Sequence, residues 1–413
     1  MRQYAFLFFA GLAVTLSTQI INASETVRDR FQVSSFGTLG ISHAGKDQFG
    51  YRNELTHKGQ FDKFSIFPDS VFGLQANAQL LPSLNATVQV LAEDQVRQNF
   101  NNIVDWAYLS YQPTPNTMIR GGRMGIDLFM LSEIRNIGFA YLWARPITEF
   151  YTPVSLSHFE GIDLKYTKNS ELGYLEFKIY GGQTGSDIRV SRGDFSVRMR
   201  PIFGAIASME TNHWKTRATF AATHIDETRN TNLTRLLNAL DQTPATIWPQ
   251  AGAFSKLING EGNQAYYYSI GLTYDKHDWL IQSEIAITDS AWPSVALTNG
   301  YLSLGRRVGP VTLYTVGSYA KSLRDSKTVS PRSSQSDINA LQTITENAFN
   351  AVLINQNTIS LGMRWDFHTK MALKAQWDHT WVRKNGGGLL ILKEPLDHDI
   401  TLNIFSLNLS FVY

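Results

Sequence analysis

Beyond residue 30 the chain is built from short runs in which apolar and polar residues take turns. In 31–42, Phe31, Val33, Leu39 and Ile41 share one parity, and Gln32, Ser34, Thr38 and Ser42 the other. In 72–80, Phe72, Leu74, Ala76, Ala78 and Leu80 alternate with Gln75, Asn77 and Gln79; Pro82-Ser83 then turns the chain into Leu84, Ala86, Val88 and Val90. A period of two puts successive side chains on opposite faces of a strand, so each run predicts a β-strand with one greasy and one polar side. The pattern returns at 107–111 and 117–123, 162–166 and 175–180, 202–209 and 214–225, 266–274 and 279–287, and 359–367 and 373–377. It ends on Phe405, Leu407, Leu409, Phe411 and Tyr413. Runs at 301–307 and 311–322 are strand-like, but their alternation does not say which face is which. About sixteen runs can be laid out, each near the ~10 residues that a tilted strand needs to cross a bilayer.

The connections differ in length by parity. Turns of a few residues, such as 112–116, 167–173, 211–213, 276–278 and 368–370, alternate with long segments. The long ones are 45–70, 94–102, 124–157, 183–196, 226–264, 288–299, 323–356 and 383–401. A soluble sandwich has no reason to sort its loops this way. A bacterial outer-membrane barrel does, with short turns toward the periplasm and long loops outside. Tyr111, Tyr166, Trp214, Tyr274, Trp279 and Phe367 stand at short-turn ends and Tyr413 at the chain's end, all on the apolar parity. This is the placement expected of an aromatic girdle at one membrane interface. Unpaired backbone groups in hydrocarbon each cost several kcal/mol, so spanning strands must close on themselves. The predicted fold is therefore an all-β closed antiparallel transmembrane barrel of about sixteen strands, wide enough to leave a water-filled lumen.

One long connection is unlike the others. Residues 124–157, MGIDLFMLSEIRNIGFAYLWARPITEFYTPVSLS, are too apolar for a surface loop and follow neither a period of two nor one of 3.6. Asp127, Glu133, Arg135, Arg145 and Glu149 are set among Phe129, Phe139, Tyr141, Trp143, Phe150 and Tyr151. The segment is expected to fold inside the barrel. Its aromatics are expected to wedge it against the inner wall, with a stacking track for a sugar or aromatic ligand as the alternative. Two other long loops carry helical stripes, Leu233, Leu236, Leu237 and Leu240 in one, and Ile338, Leu341, Ile344 and Phe349 behind a Ser336-Asp337 cap in the other. Those stripes are expected to pack the loops together at the mouth in preference to binding a partner.

Composition trims the alternatives. Twelve per cent aromatic, 17% charged and thirty glycines suit a β-rich chain, and a net charge of +2 gives nucleic-acid binding no support. The absence of cysteine excludes thiol catalysis and cysteine metal sites. Arg2, the apolar run 5–14 and Ala23 predict a signal peptide over 1–23, leaving 24–413 as a single barrel domain. On the polar faces Arg120, Lys165, Lys178, Lys215, Arg217, Arg364 and Lys374 are offset by Glu93, Asp163, Glu176, Glu284, Asp366 and Asp378. So balanced a lumen predicts weak ion selectivity.

With these features the chain resembles the sixteen-stranded porins of Gram-negative outer membranes. The resemblance spans the mature length and includes the Arg120-Gly121-Gly122-Arg123 strand before the third loop and the terminal strand Leu407-Asn408-Leu409-Ser410-Phe411-Val412-Tyr413. It implies passive diffusion of small hydrophilic solutes and ions through an eyelet formed by the third loop. It also implies a homotrimer, and a terminal strand read by the outer-membrane assembly machinery; Tyr413 replaces the usual final Phe. By the same resemblance Arg120, Arg123, Asp127, Glu133, Arg135, Arg145 and Glu149 set the constriction, although this loop mixes acids with bases where the family shows an acidic cluster. No cofactor or metal is expected. A substrate-selective channel, an outer-membrane hydrolase and a surface receptor remain as alternatives. The hydrolase is the weakest: no G-x-S-x-G, H-E-x-x-H or calcium-loop motif occurs, and Ser157 and His158 are expected on opposite faces of a strand.

Overall fold

Sixteen antiparallel strands, each hydrogen-bonded to the next in sequence, close into one barrel. The computed structural model describes residues 30–413 except 46–48, 62–63, 98–99 and 192, so the expected signal peptide lies outside the described residues. The strands are β1 (Phe31–Ala44), β2 (Val71–Leu81), β3 (Leu84–Glu93), β4 (Val104–Thr114), β5 (Thr117–Gly125), β6 (His158–Ser170), β7 (Gly173–Val190) and β8 (Gly193–Glu210). They continue as β9 (Trp214–Arg229), β10 (Gln264–Lys276), β11 (Trp279–Ser290), β12 (Leu297–Val308), β13 (Val311–Ser322), β14 (Ile354–His368), β15 (Met371–Gly387) and β16 (Ile400–Val412). β16 returns to β1 in the register Phe36↔Val412 to Ala44↔Ile404. That seam removes the last open edge, as a sheet in hydrocarbon requires.

The alternation sorts side chains as the pattern predicts. Leu39, Ile41, Leu109, Ile162, Phe177, Ile270, Leu361 and Leu407 are exposed on the outer face. Tyr111, Tyr166, Trp214, Trp279, Phe367 and Tyr413 lie exposed on the short-turn rim, and the ring of Tyr274 sits 4.4 Å from that of Trp214. At the opposite rim, Thr231–Asp241 (α1), Ala251–Ile258 (α2) and Ser336–Asn350 (α3) pack around Leu240, Trp248, Val329 and Phe349, the apolar stripes meeting one another.

Three local expectations change. The segment 183–196 is not an open loop, because β7 and β8 go on pairing to Val190↔Gly193. The Arg189–Asp194 ion pair at 2.7 Å and the Ser196–Asp187 hydrogen bond at 2.5 Å extend this hairpin beyond the wall. Ser336 and Asp337 do not cap α3; Gln335 holds the N-cap position without a side-chain bond, and both residues lie inside the first turn. By contrast α1 is capped, Asn230 accepting from the Leu233 amide at 2.8 Å.

The third change concerns the lumen. The largest apolar core lies inside the barrel, where Met124, Phe129, Trp143, Phe150 and Tyr151 meet inward residues Tyr180, Ile202, Ile206, Tyr267, Tyr301, Tyr314 and Val316. The wall from β7 to β13 is thus not a purely polar surface. This explains why 301–307 and 311–322 gave no clear face: Tyr301, Tyr314 and Val316 point inward and are apolar because the loop covers them.

Candidate functional site

The chain leaves the wall after Gly125 and rejoins it at His158, where the Ile126 amide donates to the Ser157 carbonyl at 3.1 Å. Everything between these points is folded into the barrel and tied to inward side chains. The ties form three groups.

At the base, Lys178 Nζ on β7 donates to Asp127 at 2.9 Å, and Arg217 on β9 reaches the same carboxylate at 2.5 Å. Arg120 on β5 grips Asp163 on β6 through two nitrogens, the shorter bond 2.6 Å, and stands 3.4 Å from Glu133. Lys178 is also 3.4 Å from Glu133 and 3.6 Å from Asp163, so three cations and three carboxylates share one buried net. Burial alone would raise the Asp127 carboxyl, but Lys178 and Arg217 outweigh it and hold the group well below the usual carboxylate range. Glu133 differs from its neighbours: its side chain is 48% exposed, so it faces water while the rest are covered.

At the crest, the 3₁₀ turn Gly138–Ala140 and the residues after it present backbone carbonyls to the wall. Lys374 of β15, fully buried, donates to the carbonyls of Gly138, Tyr141 and Trp143 at 2.5–2.7 Å. Arg364 of β14 donates to those of Phe139 and Tyr141, both at 2.8 Å, and Asn408 of β16 to that of Ala144 at 2.7 Å. Cations donating to carbonyls make charge-assisted bonds, stronger than neutral ones. Gly138 passes so close to the β1–β16 seam that a Cβ there would collide with Thr38 Oγ1 and lie 2.8 Å from Ser410 Oγ.

At the far end, Arg145 is buried between Asp69 at 3.1 Å and Asp378 at 3.3 Å and also donates to the Tyr51 hydroxyl. Glu149, in the helical turn Thr148–Tyr151, accepts from Ser318 at 2.8 Å, from Gln356 at 2.7 Å and from Thr358. Arg135 pairs with Glu54 of the first long loop at 3.2 Å. The loop aromatics fill the gap between these ties. Phe129 meets Tyr151 edge-on at 5.2 Å, and Trp143 meets Tyr301 at 5.4 Å while its indole N–H donates to Ser303 at 2.8 Å. Phe129, Trp143, Phe150 and Tyr151 are buried, the arrangement of a wedge and not of an open stacking track.

Six of the seven residues expected at the constriction therefore sit on the inward-folded loop or beside it. Arg123 does not. It shares the parity of Ile119 and Gly121 and lies beside Glu160, so it points outward, where it donates to Glu160 at 2.6 Å. The reason is the pleat: Arg120 and Arg123 are three positions apart, and an odd separation puts them on opposite faces. Of the remaining lumen charges, Lys165 pairs with Glu176 at 3.5 Å, Lys215 with Glu210 at 3.4 Å, and Arg364 with Asp366 at 2.8 Å. Away from the ties, inward residues in the middle of β2 and β3 are neutral and bonded to one another, Gln89 to Gln75 at 2.8 Å and Thr87 to Asn77 at 2.9 Å, while Glu93 at the end of β3 accepts from Gln95 at 3.0 Å.

Sequence reasoning missed Tyr51, Glu54 and Asp69, which lie in an ordinary-looking polar loop with nothing local to mark them. It also missed Arg52, fully buried there, which donates to the carbonyls of Leu389 at 3.0 Å and of Leu55 and Gly388 at 3.3 Å, as well as to that of Arg189. One excluded contact is present: Ser157 precedes the strand instead of lying in it, and its hydroxyl meets His158 Nδ1 at 3.0 Å.

No family profile and no curated protein matches the sequence. Solved structures do match in shape. An anion-selective porin from Comamonas acidovorans aligns over 93% of this chain and all of its own, with 10% identity and a TM-score of 0.52. Salmonella typhi OmpF, solved in complex with daunomycin, covers 93% of this chain and 97% of itself at 10% identity and a TM-score of 0.51. Pseudomonas putida OprB covers 94% and 96% at 9% identity and a TM-score of 0.50. Over 93% of its length the chain shares a closed sixteen-strand barrel with the first of these structures.

Proposed function

We propose that this chain is a channel in the outer membrane of a Gram-negative bacterium, through which small hydrophilic solutes and ions diffuse passively. The observation that carries the reading is a lipid-compatible barrel with a loop tied across its interior by buried charge: Lys178 and Arg217 on Asp127, and Lys374 and Arg364 on the crest carbonyls.

In this reading Arg120, Asp127, Arg135, Arg145 and Glu149 fix where the loop stands, and the loop's position sets the aperture. Because their charges are paired over short distances, they add little net field across the opening. Glu133, half exposed beside the base net, is the loop carboxylate placed to act on passing ions. Ion selectivity should accordingly be weak. The terminal strand, ending on Tyr413 beside β1, is the segment offered to the assembly machinery, and the working form is a homotrimer.

Planar-bilayer recording tests the reading. Purified protein should give ohmic single-channel steps, with a reversal potential close to zero in a tenfold salt gradient. A preparation that folds yet never conducts would overturn it. Chemical cross-linking in detergent should stop at the trimer.

A further inference from the structure

A cavity of about 140 Å³ lies inside the extracellular mouth, between the base of the inward loop and the upper wall of β7 to β11. Leu128 and Val154 from the loop, Phe195, Met199 and Ala221 from the wall, and Trp292 from the connection after β11 shape it. Among the described residues that line it there is no lysine, arginine, aspartate or glutamate. The indole N–H of Trp292 is already used on the Ile258 carbonyl at 3.1 Å, so this ring offers the cavity only its apolar surface.

The polar side chains of the lining carry hydroxyls, among them Ser155, Ser186, Thr223, Thr288 and Ser294. The Thr288 hydroxyl borders the cavity, its residue is more than nine-tenths buried, and it has no protein hydrogen-bond partner, whereas the Tyr267 hydroxyl turns toward Ser269. Ser269, two residues from Tyr267, uses its own proton on the Leu128 carbonyl at 3.3 Å. A buried hydroxyl without a partner is costly, and native proteins rarely leave one facing a cavity. The volume matches a single ring: an apolar cavity of about 150 Å³ accommodates benzene.

We propose that this cavity binds a neutral single-ring solute carrying one hydroxyl, a simple phenol, with the ring among Leu128, Phe195 and Trp292 and its hydroxyl on Thr288. The site deepens the channel reading above by naming a solute class held at the mouth. A carboxylate in the same position would be buried without a cation, so the site discriminates phenols from benzoates.

The test uses the full-length folded protein in detergent, titrated calorimetrically with p-cresol, toluene and benzoate against micelles alone. Saturable one-site binding of p-cresol is expected. Toluene should bind about fivefold more weakly, since it lacks one hydrogen bond, and benzoate should not bind. Ala221→Phe fills the cavity and should abolish p-cresol binding. Thr288→Val keeps the shape and should bring p-cresol down to the affinity of toluene while leaving toluene unchanged; it decides the matter if the filled variant does not fold. Equal p-cresol affinity in wild type and either variant overturns the site. Bilayer recording of the same preparation separates the two readings: conduction without saturable p-cresol binding sinks the cavity alone, and binding without conduction sinks the channel alone.

Discussion

Lys374→Met is the most informative single change. The ammonium of Lys374 donates to three carbonyls of the loop crest, at Gly138, Tyr141 and Trp143, from a fully buried position on β15. Methionine has nearly the same length and no donor, so the wall keeps its packing while the carbonyls of Gly138 and Trp143 lose their side-chain donor and that of Tyr141 keeps only Arg364. One hydrogen bond to a charged group contributes ~1.5–3 kcal/mol. The three share a single cation and do not add, so ~3 kcal/mol is a fair figure for the whole contact. Arg364, Asn408 and the Trp143–Ser303 bond remain, so the crest should open locally without leaving the barrel. At ~1.4 kcal/mol per decade this makes opening about 100-fold more frequent. Hydrogen exchange followed by mass spectrometry reads it directly: amides over 138–145 should exchange about 100-fold faster, whereas peptides from β1 and β10 should not change. Single-channel traces should become noisier and step to larger conductances. Acceleration below threefold over 138–145, in a variant that still migrates as a folded barrel on an unheated gel, would refute the idea that buried cations hold the loop.

Other outcomes follow from the same ties. Deleting 128–150 should raise single-channel conductance severalfold, and unchanged conductance would mean that the loop does not limit the aperture. Asp127→Asn strips Arg217 of its carboxylate while Lys178 keeps Asp163 and Glu133, so it should cost ~2 kcal/mol; the temperature at which the folded gel band disappears should fall. Because the Asp127 carboxyl is held below its unfolded pKa of ~3.9, its contribution is complete above that value and is lost only as pH falls through the folded pKa. The difference in conductance between wild type and Asp127→Asn should therefore stay constant from pH 7 to 4.5, and a difference that vanishes near pH 5 would count against this assignment. Gly138→Val would force the crest off the Thr38–Ser410 seam and should likewise enlarge the conductance, measured in the same bilayers.

The strands, their faces and the sorting of long and short connections were legible from the chain alone, because a period of two is a local property of each strand. So was the oddity of 124–157, whose apolar content cannot stay in water. Local reading failed where partners are remote. Arg123 is the exception, set outside by the local pleat itself because it stands three positions from Arg120. The face of β12 and β13 was hidden because the loop, not lipid or water, covers Tyr301 and Tyr314. The first long loop gave no sign that Asp69 would meet Arg145, or that Arg52 would anchor it to the carbonyls of Leu389 and Gly388. What the sequence by itself determined is the barrel and the fact that one loop enters it. Which wall that loop meets, and hence which charges are spent on ties and which still face water, was decided only in three dimensions. Lys374 and Tyr141 are 233 residues apart, and only closure of the sheet brings them together.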